Sequence, residues 1–416
     1  MTQGLTAISS QERISSIDFL RGLAVLGILV INIESFAYPD PWSPYKYGNQ
    51  ESLDHQVRFW VYFLAQGKFF SMFTMLFGVS FCLFIDRLSG RASSPNAMAL
   101  YVRRLWGLFL IGVAHAYLIW DGDVLYHYAI CGLLLLPFRS FKVSGLVIVL
   151  SVLVLLVAFN AIQSTQRTAR QQNAFELAKA KPANERSEAE QQAIASWTRR
   201  TTRKQPVTEV VEVPRNSIWE SIQVNASHQK VHKGALFYQG ILFRTLIMMV
   251  LGMIGYRLGA FHDYRSIKGY WLFTVFLLVL ALLVNYYRYD QWTFKYHQPV
   301  TQLWAGVAFA FPKELLGLAY MMLFNGLFQL VRPFSKLKGI TNMGRMALSN
   351  YLMQSLICGS LFYGYGLGWY NHFSRSELWL IIPCIWTFQI AISSWILMNY
   401  DQGPVEKLWR TFIYKG

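Results

Sequence analysis

Charged residues are scarce in this 416-residue chain. Only 14% of the residues are Asp, Glu, Lys or Arg, whereas 54% are hydrophobic and 16% are aromatic. A soluble globular protein usually carries about a quarter charged residues. The deficit excludes a disordered chain and a soluble enzyme of ordinary composition, and it predicts a protein that crosses a membrane several times.

Cysteine is also rare, and its four copies are Cys82, Cys131, Cys358 and Cys384. All four lie in apolar stretches and none belongs to a CxxC pair, so neither a disulfide framework nor a zinc site is expected. The P-loop, dinucleotide-binding and nucleophile-elbow motifs are missing as well. We therefore predict no bound metal and no nucleotide cofactor held by one of these motifs.

Long apolar runs recur along the chain and predict an all-α, polytopic membrane bundle of about ten transmembrane helices. They lie near residues 17–38, 59–85, 99–120, 122–138, 143–163, 235–259, 269–288, 303–331, 345–368 and 376–400. The first run contains Asp18 and Arg21 and has no small-residue cleavage site, so it predicts a retained span rather than a signal peptide. The second contains Lys68 and the fourth is short, so a half-buried or re-entrant segment is an alternative for either.

The distribution of positive charge predicts the orientation, because Lys and Arg in short loops favour the cytoplasmic side. When loops alternate between the two sides, one side carries 17 Lys or Arg residues and the other carries 5. Both termini are therefore expected in the cytoplasm. The asymmetry also accounts for much of the net charge of +16, so no nucleic-acid partner is predicted.

Three parts follow from this pattern: helices 1–5 in residues 1–163, a polar insertion at 164–234, and helices 6–10 in residues 235–416. The insertion holds 12 Lys or Arg against 7 Asp or Glu. Because successive loops lie on alternate sides of the membrane, the insertion is predicted to lie outside the cytoplasm. Residues 166–202 favour helix by propensity, and the proline-bounded stretch 206–217 alternates as an extended segment does. A solvated helical cap and a patch for anionic lipid or polysaccharide are both open.

Several polar residues are predicted to share one layer near the outer face. Depth along each helix, at about 1.5 Å per residue, brings six of them to this level. They are Asn32, Glu34, Lys68, His115, Asp123 and His127. His115 beside a carboxylate is suited to general-base catalysis, since the acid orients the imidazole. A core histidine bonded to a neighbouring helix is the alternative.

Three further groups of polar residues lie closer to the middle or the inner end of the bundle. Asp18 and Arg21 are spaced for an ion pair within one helix. Arg244 and Glu314 could pair at mid-depth, and together with Lys313 they could hold an anionic cofactor such as coenzyme A. Pro312 beside them is expected to break or kink its helix. Arg345 begins a polar stripe, and its guanidinium is suited to phosphate.

Five segments resemble the YeiB-type bacterial inner-membrane proteins, known as domain-of-unknown-function family 418. They run in the family's order: "IDFLRGLAVLGILVINI", "GKFFSMFTMLFGVSF", "RRLWGLFLIGVAHAYLIWDGDVLYHYAICGLL", "GRMALSNYLMQSLICGSLFY" and "QGPVEKLWR". The resemblance spans the chain from the first helix to the C-terminus. It implies a multi-pass protein of the bacterial inner membrane, and the insertion at 164–234 is its least family-like part.

This family is distantly similar to transmembrane acyltransferases, which pass an acyl group from cytoplasmic acyl-CoA to an acceptor across the membrane. The resemblance implies acetyl-CoA or another acyl-CoA as donor and a glycan, small amine or alcohol as acceptor. In the O-acetyltransferase branch an Arg or Lys is followed eleven positions later by a catalytic His. Here Arg21 matches but Asn32 stands in place of that His. His115 with Asp123 is therefore the preferred base, and His55 the reserve.

The resulting enzyme hypothesis gives each residue a role. Acyl-CoA enters near Arg103, Arg104 and Arg345, and Asn32 or Lys68 stabilises the oxyanion. The competing hypothesis is a transporter or export factor with a proton relay through Glu34, Glu314 and His115. A non-catalytic membrane protein that binds a partner through residues 164–234 is the third. Assembly as a homodimer is left open.

Overall fold

The described part of the chain is helical throughout. The computed structural model describes residues 14–38, 53–91, 96–202, 215–232, 235–295, 298–331 and 337–414. Its α-helices are α1 (Ser15–Ala37), α2 (Leu53–Trp60), α3 (Lys68–Arg91), α4 (Asn96–Leu118), α5 (Leu125–Leu134), α6 (Val143–Lys179), α7 (Glu188–Thr201), α8 (Ile218–His232), α9 (Ala235–Arg257), α10 (Tyr270–Thr293), α11 (Leu303–Ala308), α12 (Pro312–Leu330), α13 (Lys338–Arg345), α14 (Ala347–Phe362), α15 (Arg375–Asn399) and α16 (Pro404–Tyr414). No strand occurs in these ranges, and the predicted all-α class is confirmed.

Six helical segments within these ranges are long and apolar enough to cross a membrane. They are Ser15–Ala37, Leu53–Arg87, Val143–Lys179, Gly240–Arg257, Tyr270–Gln291 and Arg375–Asn399. The remaining predicted spans correspond to shorter, more polar or interrupted helices, so the predicted count of ten is approximate. A helical membrane protein accounts for both the long apolar helices and the scarcity of charge.

Two of the predicted spans are broken. In the second, a π-helical turn at Val61–Ala65 ends at Gln66, Gly67 has a φ of +81°, and α3 begins at Lys68. In the eighth, α11 and α12 are separate helices and Pro312 is the first residue of α12, as expected from its fixed φ. Each break creates a new helix N-terminus, whose first backbone N–H groups have no partner within their own helix.

Glycines allow the central helices to approach each other closely. A Cβ added to Gly22 of α1 would lie 2.0 Å from the Ile340 carbonyl oxygen of α13. In the crossing of α3 with α9, Gly78 meets the carbonyl of Met249 and Gly252 meets that of Met75, at 1.9 and 2.0 Å from an added Cβ. Such backbone contact is possible only without a side chain, as in small-residue packing of membrane helices.

The insertion continues the fifth predicted span instead of starting a separate unit. The 37 residues of α6 run without interruption through position 163, and α7 folds back beside the end of α6. A capping box of Ser187 and Glu190 begins α7, and hydrogen bonds from Lys181 and Ser187 lower the pKa of Glu190. Most of the stretch predicted as extended, 206–217, lies outside the described residues.

Candidate functional site

The predicted partners His115 and Asp123 are in direct contact. His115 lies near the end of α4, and its Nδ1 is 2.7 Å from Asp123 Oδ2. The other carboxylate oxygen, Oδ1, accepts hydrogen bonds from the backbone N–H groups of Leu125 and Tyr126 at 2.8 and 3.3 Å, so Asp123 also caps the first turn of α5. Both side chains are at most 1% exposed.

The second imidazole nitrogen of His115, Nε2, is available for a hydrogen bond. Nε2 is buried and has no hydrogen-bond partner in the described part of the chain. The imidazole packs against the aromatic rings of Tyr351 and Trp120, with ring centroids 5.3 and 6.3 Å away. Trp120 in turn stacks on Phe36, which is one turn from Asn32 on α1. The arrangement has one nitrogen oriented by a carboxylate and the other able to accept a proton.

The loop between α4 and α5 is held by the insertion. Asp121 Oδ2 is 2.7 Å from His228 Nδ1 of α8, and Asp121 Oδ1 accepts from Arg215 at 3.3 Å. Gln229 donates to the Asp121 carbonyl at 2.8 Å, and Asn225 donates to that of Tyr117. The end of the insertion therefore fixes the loop that carries Asp123.

One large cavity leads from a cluster of arginines toward this histidine. We call it the C-terminal cavity, because α16 forms part of its wall, and its volume is about 290 Å³. Its basic residues are Arg21, Arg87, Arg104, Arg345 and Arg410. Its apolar wall includes Leu125 and Tyr351, of which Tyr351 touches the His115 ring and Leu125 follows Asp123 by two residues. The cavity thus has a cationic part and an apolar part, and His115 lies behind the apolar wall, in contact with the lining residue Tyr351.

Glu406 of the motif "QGPVEKLWR" organises the wall of this cavity. Its Oε1 accepts hydrogen bonds from the backbone N–H groups of Leu348 and Ser349 at 2.9 and 3.0 Å, and its Oε2 accepts from the Ser349 hydroxyl. A carboxylate is stabilised at a helix N-terminus by these free N–H groups and the helix dipole. Glu406 therefore anchors α16 to the start of α14, the helix that carries Tyr351.

A second cavity lies where the broken helices begin. We call it the broken-helix cavity; its volume is about 270 Å³, and the first residues of α12 together with Gly67 and Ser71 line it. Arg244, Arg288, Lys313 and Glu314 supply its charge. The predicted Arg244–Glu314 pair is present, with Nη1 and Oε1 2.9 Å apart. Glu314 Oε2 is buried and has no partner among the described residues.

Two hydrogen bonds connect α5 to residues that line the broken-helix cavity. The hydroxyls of Thr74 and Tyr128 are 2.7 Å apart; Thr74 lines the broken-helix cavity and Tyr128 lines the C-terminal cavity. His127 Nε2 is 3.1 Å from the hydroxyl of Thr245, which lines the broken-helix cavity. Consecutive residues of α5 thus form a thin polar partition between the two cavities.

The residues of the predicted polar layer contact different partners. Glu34 lies 3.6 Å from Arg58 Nη1 and 3.6 Å from Arg375 Nε, and all three side chains are buried. Lys68 is fully buried and donates to the Tyr62 carbonyl at 2.6 Å. Asn32 is half-buried on α1. Equal depth therefore does not place these groups in one contact cluster, except for His115 with Asp123.

The residues predicted to hold a cofactor fall into two groups. Arg21, Arg104 and Arg345 line the C-terminal cavity, whereas Arg244, Lys313 and Glu314 line the broken-helix cavity. The predicted Asp18–Arg21 ion pair has an N–O distance of 2.8 Å. Six of the predicted site residues are not among the lining residues of either cavity: Asn32, His55, Lys68, Arg103, His115 and Asp123. Arg103 packs on the ring of Phe412, and His55 lies 3.5 Å from the Tyr289 hydroxyl.

Sequence reasoning missed several residues of these sites. Arg87, Arg288 and Arg410 enter the sequence analysis only through the totals of 17 and 5 loop charges, yet all three line cavities. Tyr128 lines the C-terminal cavity as well and is not among the predicted site residues. Glu406 offers one usable signal in the sequence, because it is the single carboxylate of the segment "QGPVEKLWR" after the last predicted span. Which arginines line a cavity depends on how the helices pack, and the sequence alone does not show that packing.

Comparison with known proteins shows what the chain is similar to, and none of these relatives has an assigned reaction. The family model described as "Protein of unknown function (DUF418)" matches residues 255–416. YxaH of Bacillus subtilis is 28% identical over 97% of this chain and 95% of its own length, and YeiB of Escherichia coli is 28% identical over 96% of each. The resemblance to the YeiB-type proteins is confirmed. A third relative, from Bacillus acidopullulyticus, is 38% identical over 135 residues, which are 32% of this chain and 36% of that protein. YxaH, YeiB and this third relative are themselves described as uncharacterized.

Proposed function

We propose that this YeiB-type protein is a membrane acyltransferase that takes an acetyl group from cytoplasmic acetyl-CoA. The acceptor is a hydroxyl or amine of a glycan or small molecule at the other side or within the membrane. The observation that supports this proposal is the C-terminal cavity, because its arginines suit an anionic donor and its apolar wall includes Tyr351, which packs against the oriented His115. We further propose that the protein lies in the bacterial inner membrane with both termini in the cytoplasm.

The C-terminal cavity has the chemistry that a coenzyme A thioester requires. Guanidinium groups bind phosphate through paired N–H donors, and the cavity presents five of them. The apolar wall beyond them suits the thinner pantetheine arm. Arg104 and His115 are eleven residues apart on α4, which corresponds to about 16 Å along the helix axis. An extended arm from the arginines would bring its thioester to the level of His115.

The proposed reaction needs one base and one group that binds an oxyanion. The acceptor oxygen or nitrogen attacks the thioester carbonyl carbon and gives its proton to His115 Nε2. The C–S bond then breaks, the thiolate takes that proton, and the products are the acetylated acceptor and free coenzyme A. Asp123 holds the imidazole through Nδ1 and stabilises its protonated form. Asn32 is the preferred donor to the oxyanion, because Lys68 is already bonded to Tyr62.

The test is acetyl-CoA turnover by the full-length protein in detergent, with released thiol and acetylated product measured by absorbance and mass spectrometry. His115→Ala should lower kcat by about 10²–10⁴-fold, the range of a lost general base. His262→Ala is the matched control, since His262 is exposed, whereas His115 is buried and paired with Asp123. Acetyl-pantetheine, which lacks the nucleotide phosphates, should show a raised KM.

Two results would contradict this proposal. Full turnover by His115→Ala would remove His115 as the base. Absence of both binding and turnover of acetyl-CoA would remove the acyltransferase function itself.

Transport is the second candidate, and the broken helices support it. Transporters bind substrates near the middle of the membrane at discontinuous helices, as in the pairs α2–α3 and α11–α12. The relay suggested from sequence has less support, because Glu34, Glu314 and His115 each pair with a different partner. Proteoliposomes distinguish the two functions: a carrier moves its substrate unchanged in response to a proton gradient, whereas the transferase yields a covalent product.

A further inference from the structure

The broken-helix cavity contains more positive than negative charge. Arg244, Arg288 and Lys313 line it, and the buried Lys68 directly follows the lining residue Gly67 in the chain. Glu314 is the single carboxylate among its lining residues in the described part of the chain. Arg244 is already paired with Glu314. Arg288 and Lys313 therefore remain without a carboxylate partner in the described residues.

The backbone around this cavity adds to the positive potential. Gly67 and Ser71 lie at the start of α3, and Pro312 to Glu314 form the start of α12. Both helix N-termini thus open onto the same space, where free N–H groups and helix dipoles favour an anion. The positive φ of Gly67 brings the chain close to Lys313, because an added Cβ there would lie 2.5 Å from Lys313 Cδ. The helix break at Gly67 is therefore packed against the side chain of Lys313.

The three cations that line the cavity are half-buried, so their excess positive charge is partly removed from water and is stabilised by an accompanying anion. Arg288 Nη1 donates to the Phe309 carbonyl at 2.8 Å, which leaves its remaining N–H donors available. Arg244 also donates to the Ala310 carbonyl. Carbonyl oxygens satisfy hydrogen bonds but supply only partial charge, and uncompensated charges in a low-dielectric site are destabilising. A small anion from solution would balance them.

We propose that the broken-helix cavity binds an oxyanion, a phosphate or a carboxylate, that belongs to the acceptor molecule. The identification with the acceptor rests on the acyltransferase proposal, whereas the binding of an oxyanion does not. Arg288 and Lys313 bind the oxyanion, together with the N-termini of α3 and α12. The orphan Oε2 of Glu314 accepts a hydrogen bond from a hydroxyl or amine of the same molecule.

The partition on α5 gives this location a consequence for acyl transfer. Thr74 and Tyr128 separate the cavity from the C-terminal cavity by a single hydrogen bond of 2.7 Å. An acceptor bound by its oxyanion in the broken-helix cavity would therefore lie next to the C-terminal cavity, where the arginines bind the donor. Its hydroxyl or amine reaches the thioester when the hydrogen bond between Thr74 and Tyr128 opens.

The experiment measures anion binding by the full-length protein in detergent, without acetyl-CoA and at constant ionic strength. Inorganic phosphate, glycerol 3-phosphate and glucuronate are titrated, with calorimetry and the thermal unfolding midpoint as readouts. We expect saturable binding of the phosphates, the carboxylate or both, which identifies the oxyanion class. Arg288→Gln and Lys313→Gln should each raise Kd at least tenfold. Arg265→Gln, at an exposed site outside both cavities, should leave Kd unchanged.

Arg288→Lys is the conservative variant. It keeps the positive charge and should therefore retain part of the affinity for the anion, which a misfolded variant would not. The unfolding midpoint without anion shows whether each variant is folded. Equal affinity in wild type and Arg288→Gln, or no binding of any probe to wild type, would overturn the proposal. Anion binding without any acetyl-CoA turnover would instead remove only the link to an acyl acceptor.

Discussion

At the scale of single residues, Asp123 carries two structural tasks with its two oxygens. Oδ1 caps α5 through backbone N–H groups, and Oδ2 holds His115 Nδ1. Because the same carboxylate fixes a helix start and an imidazole, the orientation of His115 is tied to the backbone of α5. The free Nε2 then has a defined direction, as a general base requires.

The substitution Asp123→Asn distinguishes the capping of α5 from the electrostatic effect on His115. The amide oxygen can still cap α5, but the negative charge that stabilises protonated His115 is lost. We expect kcat for acetyl-CoA turnover to fall about 10²-fold or more, while the thermal unfolding midpoint changes little. The measurement is steady-state turnover with a thermal melt of each variant.

Asp263→Asn is the matched control, because Asp263 Oδ1 also accepts a hydrogen bond from the N–H two residues later, that of Arg265, whereas Asp123 alone of the two is bonded to His115. It should keep wild-type turnover. A wild-type kcat for Asp123→Asn would show that the carboxylate charge has no part in the reaction.

The pair His115–Asp123 could be predicted from sequence because both residues flank one short loop. The other members of the predicted layer could not be assigned in the same way. Depth along a helix is one coordinate, whereas contact also needs the rotation of each helix, which the packing of its neighbours determines. Lys68 turns to the Tyr62 carbonyl, and Glu34 turns to Arg58 and Arg375.

At the scale of helices, the crossing of α3 with α9 depends on reciprocal glycines. Each glycine faces the carbonyl of a methionine on the other helix, so the two backbones are in contact over that turn. Thr74 and Thr245, which line the broken-helix cavity, lie on these same two helices. The spacing of α3 and α9 therefore sets the width of the cavity as well as the stability of the bundle.

Gly252→Ala tests this crossing. The added methyl would lie 2.0 Å from the Met75 carbonyl oxygen, so the helices must separate, at a cost of about 1–3 kcal/mol for overpacking. We expect a lower thermal unfolding midpoint in detergent. Gly240→Ala adds the same methyl to the same helix where no atom lies within 4 Å, and it should leave the midpoint unchanged or raise it. Equal midpoints in both variants would argue against the close contact.

The helix breaks show what local sequence can and cannot indicate. Pro312 predicted the break before α12, because proline lacks an N–H group and fits the first helical position. The break at Gln66–Gly67 has no comparable signal, since a glycine within an apolar run is equally compatible with close helix packing. Its positive φ is a consequence of where α3 must pack, and hydrophobic periodicity does not report it.

At the scale of the whole molecule, the two ends of the bundle differ in charge and in the segments attached to them. The arginines of the C-terminal cavity and helix α16 are at one end of α4, around Arg104. The insertion helix α8 contacts the other end, around Tyr117 and Asp121. Helix α6 links the two levels over 37 residues, about 55 Å at 1.5 Å per residue, and thus exceeds a hydrocarbon core of about 30 Å.

This separation predicts opposite accessibility of the insertion and the C-terminal helix. With Cys384→Ala as background, because the other three cysteines are buried, Gln192→Cys places a thiol on exposed α7 and Lys407→Cys places one on exposed α16. In intact spheroplasts, a membrane-impermeant maleimide should label the first variant and spare the second until the membrane is permeabilised. The positive charge of the loops near α16 is the physical reason, since Lys and Arg resist translocation.

Equal labelling of both variants in intact spheroplasts would place the insertion and the C-terminus on the same side of the membrane. Acyl-CoA in the cytoplasm would then have no access to the C-terminal cavity.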